Sequence, residues 1–210
     1  MPIPVYDYRK DIANVVVRPE IRARFMRMDP APAGRLHSHD LGGEIFLVME
    51  GQCEFIVEDE AVTCGEGQMI YVPPRAKHTL HAVGDQPCTI YLSVTPHVEP
   101  THTQYDESYN VQPPRFGGWR GKEHGDAAPD KSTAELADSV VEASRQLAEL
   151  AKRNAEVMAT HADALRGAAD PASTKSTMDA MWFELRDTLQ HVRELEERWS
   201  ALAPRSMPVT

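Results

Sequence analysis

The residues of this chain best suited to chemistry are His37, His39, Glu44 and His78. The first two lie one residue apart, Glu44 follows after four more, Gly51 closes the segment, and His78 comes thirty-four residues beyond Glu44. Three imidazoles and one carboxylate make a ligand set that first-row divalent metals favour. The set leaves a divalent ion with net positive charge. With octahedral coordination, two positions stay open for water, substrate or dioxygen. The spacing therefore points to one divalent transition metal, and iron, manganese, nickel and zinc all suit these donors.

Extended backbone would bring these residues together. Successive side chains on a strand alternate faces, so His37 and His39 project to one side. Residues 40–43 read as a turn, and Glu44 opens a returning strand on which Phe46 and Val48 share its inward face as pocket candidates. His81, three residues after His78, would face the other way. His81, His97, His102, His124, His161 and His191 are read as ordinary surface or core histidines. Tyr91, Arg22 and Arg24 lie on strands of unassigned face and join the pocket candidates.

The surrounding pattern is strand-rich. Apolar runs at 15–17, 23–28, 44–49, 54–57, 69–72 and 89–94 are cut by turn residues, among them Asp29-Pro30, Asp59-Glu60, Pro73-Pro74 and Gly84-Asp85. Short strands at such intervals predict an antiparallel sandwich or barrel over 1–95. Residues 96–130 show no period, yet carry Tyr105, Tyr109, Phe116 and Trp119 among prolines and glycines. Such aromatics argue for packing onto the barrel, leaving about 121–130 as a flexible connector.

Residues 131–203 change character. Ser132 and Glu135 form a capping box. Beyond it Leu136, Val140, Ala143, Leu147, Leu150, Asn154, Val157 and His161 recur at spacings of four and three. After a break at 167–173, Met178, Met181, Leu185, Thr188, Val192, Leu195, Trp199 and Leu202 repeat the pattern. Two heptad seams predict an antiparallel coiled-coil hairpin of about 30 and 25 residues. Two helices leave much of each seam wet, so a homodimer forming a four-helix bundle is expected, with 204–210 a tail.

Composition bounds the partners. A net charge of -10 argues against a nucleic-acid surface. No apolar run reaches the length of a membrane span, and residues 1–4 lack a signal peptide's apolar region. Cys53, Cys64 and Cys88 have no CxxC spacing and read as buried free thiols, which suits a cytoplasmic protein.

With these motifs in view, residues 34–51 resemble the first motif of the cupin superfamily, and 67–78 resemble the second. The resemblance covers roughly 12–95. It implies a mainly β protein with an α appendage: a small jelly-roll barrel holding the metal on His37, His39, Glu44 and His78, followed by the hairpin. Arg75 stands where the second motif usually has glycine, and Ala82 where an asparagine often closes it. Gly34 is nearer His37 than usual. Arg75 is read as solvated surface first and as a pocket contact second.

Proteins similar to this one include dioxygenases, isomerases, decarboxylases, lyases and non-catalytic binders, so fold and metal do not fix the reaction. The leading expectation is a metalloenzyme acting on a small oxygen-rich organic substrate, with dioxygenase chemistry first and isomerase or lyase chemistry next. Glu44 is a candidate base in that scheme. The alternative is a non-catalytic small-molecule or metal-binding module whose hairpin mediates assembly.

Overall fold

The computed structural model describes residues 2–116, 128–168 and 170–206. The chain divides into two units, one of residues 1–126 with 203–210 and the other of 127–202.

In the first unit the strands are β1 (Asn14–Arg18), β2 (Ile21–Met28), β3 (His37–Ser38), β4 (Gly43–Glu50), β5 (Gln52–Val57), β6 (Glu60–Gly65), β7 (Met69–Val72), β8 (His78–Ala82), β9 (Cys88–Thr95) and β10 (Thr103–Gln104). They form two five-stranded antiparallel sheets, ordered β1-β2-β9-β4-β7 and β10-β3-β8-β5-β6. This is the jelly-roll arrangement, mainly β with a helical appendage.

Alternation explains the core. On β4, Glu44, Phe46 and Val48 are buried, and β9 sends Cys88, Ile90, Leu92 and Val94 inward. Arg22, Arg24, Met26 and Met28 of β2 pair with those four β9 positions in register. The opposite sheet adds Cys53, Phe55, Leu80 and Ala82. The thiols of Cys53 and Cys64 on this sheet and of Cys88 on β9 are free and buried. Contact with Cys88 and burial both hold the Cys53 thiol protonated.

Two turns show what the backbone asks of the sequence. Gly51 joins β4 to β5 at φ +76, and a Cβ there would come 2.5 Å from the Pro87 carbonyl oxygen. Arg75 adopts φ +71, so the left-handed turn before β8 is kept although the residue is not glycine. Its N–H donates to the His39 carbonyl at 2.8 Å, which ties that turn to the histidine pair.

Residues past β9 stay with the sheets. β10 pairs with β3, and the Tyr105 and Ser38 hydroxyls meet at 2.9 Å. Of the connector expected at 121–130, residues 121–127 lie outside the described residues, as do Trp119, His124 and the tail from 207 onward.

In the second unit, α1 (Thr133–Arg166) has 34 residues and α2 (Pro171–Leu202) has 32, both longer than expected. Those lengths correspond to rods of about 51 and about 48 Å. α2 begins earlier than its apolar pattern because Asp170 caps it: the carboxylate accepts from the N–H groups of Ala172 and Ser173 at 2.8 and 2.9 Å. Pro171 follows at the first helical position, where a missing N–H costs nothing. Contacts of Ser139 with Arg198 and of Arg153 with Glu184 show the two helices running antiparallel.

The expected seam is covered along α1 but only in part along α2. Met178 and Leu185 are exposed, and with Trp182 and Leu189 they form an apolar stripe turned to solvent. The α2 positions that α1 does cover include Met181, Thr188, Val192 and Leu195. No helix among the described residues is long and apolar enough to cross a membrane.

At the start of α1, Ser132 accepts from the Glu135 N–H, and Glu135 reaches back to the Ser132 N–H at 2.7 Å. Ser132→Ala is expected to cost about 1 kcal/mol of helix stability. Faster amide exchange confined to the first turn of α1 would show it, and unchanged exchange there would count against the cap.

Candidate metal centre

Four residues from three strands and one turn converge inside the barrel. His37 begins β3, His39 follows it, Glu44 is the second residue of β4 and His78 the first of β8. His37 and His78 are cross-strand partners, which brings their rings to 4.3 Å between centroids. One ligand atom from each of the four residues lies within 4.8 Å of every other, a cluster that could hold a metal ion. His39, Glu44 and His78 are buried, and His37 is half-buried.

Hydrogen bonding fixes how the rings present themselves. His37 Nδ1 lies 3.1 Å from the Arg35 carbonyl, His39 Nδ1 2.5 Å from that of Thr101, and His78 Nδ1 2.9 Å from that of Ala76. A carbonyl oxygen only accepts, so each Nδ1 carries a proton and donates. In the neutral ring the lone pair then sits on Nε2. His39 and His78 aim Nε2 at the same carboxylate oxygen, Glu44 Oε2, from 3.0 and 2.9 Å. Lone pairs facing a carboxylate repel unless a cation stands among them. Tethered imidazoles directed at a carboxylate are the arrangement a metal needs, and the donor set fits a divalent ion.

Electrostatics favours the ligating forms. Burial above all pushes His37 down to about 4, so its ring is neutral at pH 7. Burial opposes ionisation of Glu44, and the charge of Arg22 beside it favours the carboxylate.

Arg22 stands on the other side of that carboxylate, with one terminal nitrogen 3.6 Å from Glu44 Oε1. Its side chain is 3% exposed, and burial lowers it to about 10, so it remains charged at neutral pH. His102 also approaches the centre, its ring 4.8 Å from that of His37 and 4.4 Å from that of His39.

The other candidates separate by face. Phe46 and Val48 lie inward beside Glu44, and the Phe46 ring centroid is 6.0 Å from that of His78. Tyr91 is on the outward face of β9, packed on Phe25 at 5.8 Å, and does not line the interior. Alternation sets this, because Tyr91 sits between the inward pair Ile90 and Leu92. Arg75 is exposed on its turn rather than in the interior. His81 faces away, toward Glu54 at 3.5 Å.

His102 was not distinguishable from an ordinary histidine in sequence. It lies in a segment without period, and no spacing relates it to His37. Arg22 could have been found from alternation alone, since it shares a face with Met26 and Met28 once the apolar side of β2 is chosen.

A sequence profile described as a cupin domain matches residues 24–95, so the chain carries a cupin domain over that stretch. An uncharacterized protein of Methanocaldococcus jannaschii is 31% identical over 55 residues, which are 26% of this chain and 44% of that protein. The chain thus spans less than half the length of this curated relative. Among solved structures, a Klebsiella pneumoniae protein with a double-stranded β-helix domain is 15% identical with a TM-score of 0.42, over 44% of this chain and 84% of that one. Oxalate decarboxylase from Bacillus subtilis is 22% identical with a TM-score of 0.37, over 41% of this chain and 24% of that one.

Proposed function

We propose that the cupin domain binds one divalent transition metal through the Nε2 atoms of His37, His39 and His78 and through Glu44, and that the protein is a metalloenzyme. Its substrate is a small oxygen-rich organic molecule, with dioxygenase chemistry the first choice and isomerase or lyase chemistry next. The observation that carries this is the set of three Nδ1–carbonyl tethers, which present Nε2 of each imidazole to the centre. When bound, the ion supplies Lewis acidity or, with iron, manganese or nickel, a redox partner for dioxygen.

The chain's own residues hold and orient. Glu44 is assigned to ligation first, because its Oε2 faces the Nε2 atoms of both His39 and His78, and to proton transfer second. Phe46 and Val48 form the apolar wall beside Glu44 and keep bulk water from that side.

The test is metal analysis of protein purified without a histidine tag, where about one transition metal per chain is expected. Oxygen consumption with diketones, catechols and sugar acids then examines the first choice. No oxygen consumption under air, with turnover under argon, would move the assignment to isomerase or lyase. A chain that takes up no metal would overturn the enzyme reading and leave a binding module.

That second reading draws support from the hairpin. Met178, Trp182, Leu185 and Leu189 are exposed at spacings of four and three, the period of a coiled-coil seam. We assign this stripe to pairing with a second copy as a four-helix bundle. Leu185→Glu combined with Leu189→Glu is expected to halve the mass seen by light scattering while leaving metal content unchanged. A wild-type chain already monomeric would refute the pairing. The three free thiols suit a reducing compartment, and we place the protein in the cytoplasm.

A further inference from the structure

Alternation also decides what stands behind the ligands. Where a side chain on a strand points inward, its neighbours in sequence point outward. One segment beyond the stretch that matches the cupin domain gathers those outward neighbours. Residues 101–112 run along β3 as β10, turn at 106–110 and return, with the Gln112 N–H donating to the Gln104 carbonyl at 2.8 Å. The Thr103 hydroxyl donates to the Asp40 carboxylate at 3.0 Å, beside His39. The Tyr105 hydroxyl lies 2.9 Å from that of Ser38, which is buried between His37 and His39. The Lys77 ammonium, beside His78, stands 5.3 and 5.7 Å from the ring centroids of Tyr105 and Tyr109. These contacts reach residues next to three of the four proposed ligands.

The same segment is lightly held. Residues 106–111 are exposed, and Tyr109 and Val111 bury little of their apolar surface. Tyr109 adopts φ +63, a left-handed conformation that is strained for a residue with a side chain. The turn is closed by the Asp106 carboxylate, which accepts from the N–H groups of Ser108 and Asn110 at 2.8 and 2.9 Å. Segments with few buried apolar contacts open at free energies well below that of global unfolding.

We propose that the hairpin of residues 101–112 is a clasp on the metal centre, with Tyr105 as its positioning residue, so that metal loading and closure of the hairpin strengthen each other. This rests on the metal-centre reading and adds a second element to it. A closed hairpin holds Ser38 and Asp40, and with them the backbone that carries His37 and His39. A bound ion, by fixing those rings, holds the surface on which the hairpin closes. The two effects are equal in size, because coupling between binding and closure is reciprocal.

Hydrogen–deuterium exchange of the full-length protein tests this, comparing chelator-stripped protein with protein reloaded with cobalt(II), whose visible absorption reports affinity. Cobalt should slow exchange of the 103–112 amides about tenfold, within the usual range of such couplings. Amides of β6, the opposite edge of the same sheet, should not respond. Tyr105→Phe keeps the ring and removes the hydroxyl. It should still take one cobalt per chain but bind it about tenfold more weakly, the lower end of the range for groups that orient ligands. Ser38→Ala should do the same, and the double variant should lose no more than either single one, since both remove one contact. A contact that serves stability alone would leave cobalt affinity unmoved. The wild-type comparison carries the test alone if a variant does not fold. A wild type that shows no cobalt bands fails the metal reading, and the proposal falls with it. Cobalt bands with 103–112 exchange unchanged, or slowed as much in β6, overturn the clasp while the metal centre stands. A folded Tyr105→Phe protein that binds cobalt as the wild type does overturns it equally.

Discussion

His78→Ala is expected to purify with less than about a tenth of the metal held by the wild type. Removing a group that only orients a ligand already costs 10–100-fold in metal affinity, so removing a ligand costs more. His78 is placed for this by the first position of β8, by its pairing with His37, and by the Ala76 carbonyl that orients its ring. The variant also takes from Glu44 Oε2 one of its two imidazole neighbours. His81→Ala is the matched control, because that ring lies on the other face beside Glu54. Elemental analysis should show wild-type metal in His81→Ala and near-background metal in His78→Ala. Equal metal in all three proteins would remove His78 from the centre.

Phe46→Ala is expected to cost about 3–5 kcal/mol of barrel stability, the range for deleting a buried aromatic side chain. Phe46 is 1% exposed, and its ring lies 5.1 Å from that of Phe55 in the opposite sheet. Alanine leaves a void between two sheets, each kept stiff by its own backbone hydrogen bonding, so collapse is limited. A lower urea midpoint with an unchanged slope, followed by aromatic circular dichroism, would record the loss. Because the Phe46 ring also stands against His78, the same variant should bind metal more weakly than the wild type while keeping its stoichiometry. A midpoint within error of the wild type would show that Phe46 is not part of the core.

Period-2 alternation made most of the sandwich legible. β1, β2, β4, β5, β7 and β9 are apolar enough to read directly, and the inward set of Glu44, Phe46 and Val48 follows from one choice of face. β6 was hidden because it is an edge strand whose residues Glu60 to Thr63 are exposed, so burial imposed no alternation on them. β8 was hidden because its inward face opens with His78, polar for the sake of the site. β3 and β10 are two residues each and carry no pattern. In the hairpin the period was legible, and the side of α2 turned to α1 was legible for most of its positions but not for Met178 and Leu185. Met178 and Leu185 continue an apolar pattern that two helices alone cannot bury. The four clustered donors were legible because their spacing is local or bridged by one turn. Arg22 needed only the inward face of β2 to be chosen, whereas His102 reaches the centre by a turn-rich return that spacing does not encode.

The Thr101 carbonyl orients His39, yet Thr101 lies outside the stretch that matches the cupin domain. What homology delimits and what the chemistry requires are therefore different pieces of chain. A graft of residues 24–95 into another host would carry all four donors and lose the tether that decides which nitrogen of one donor holds its proton. The transplant would look complete in composition and present one imidazole free to turn.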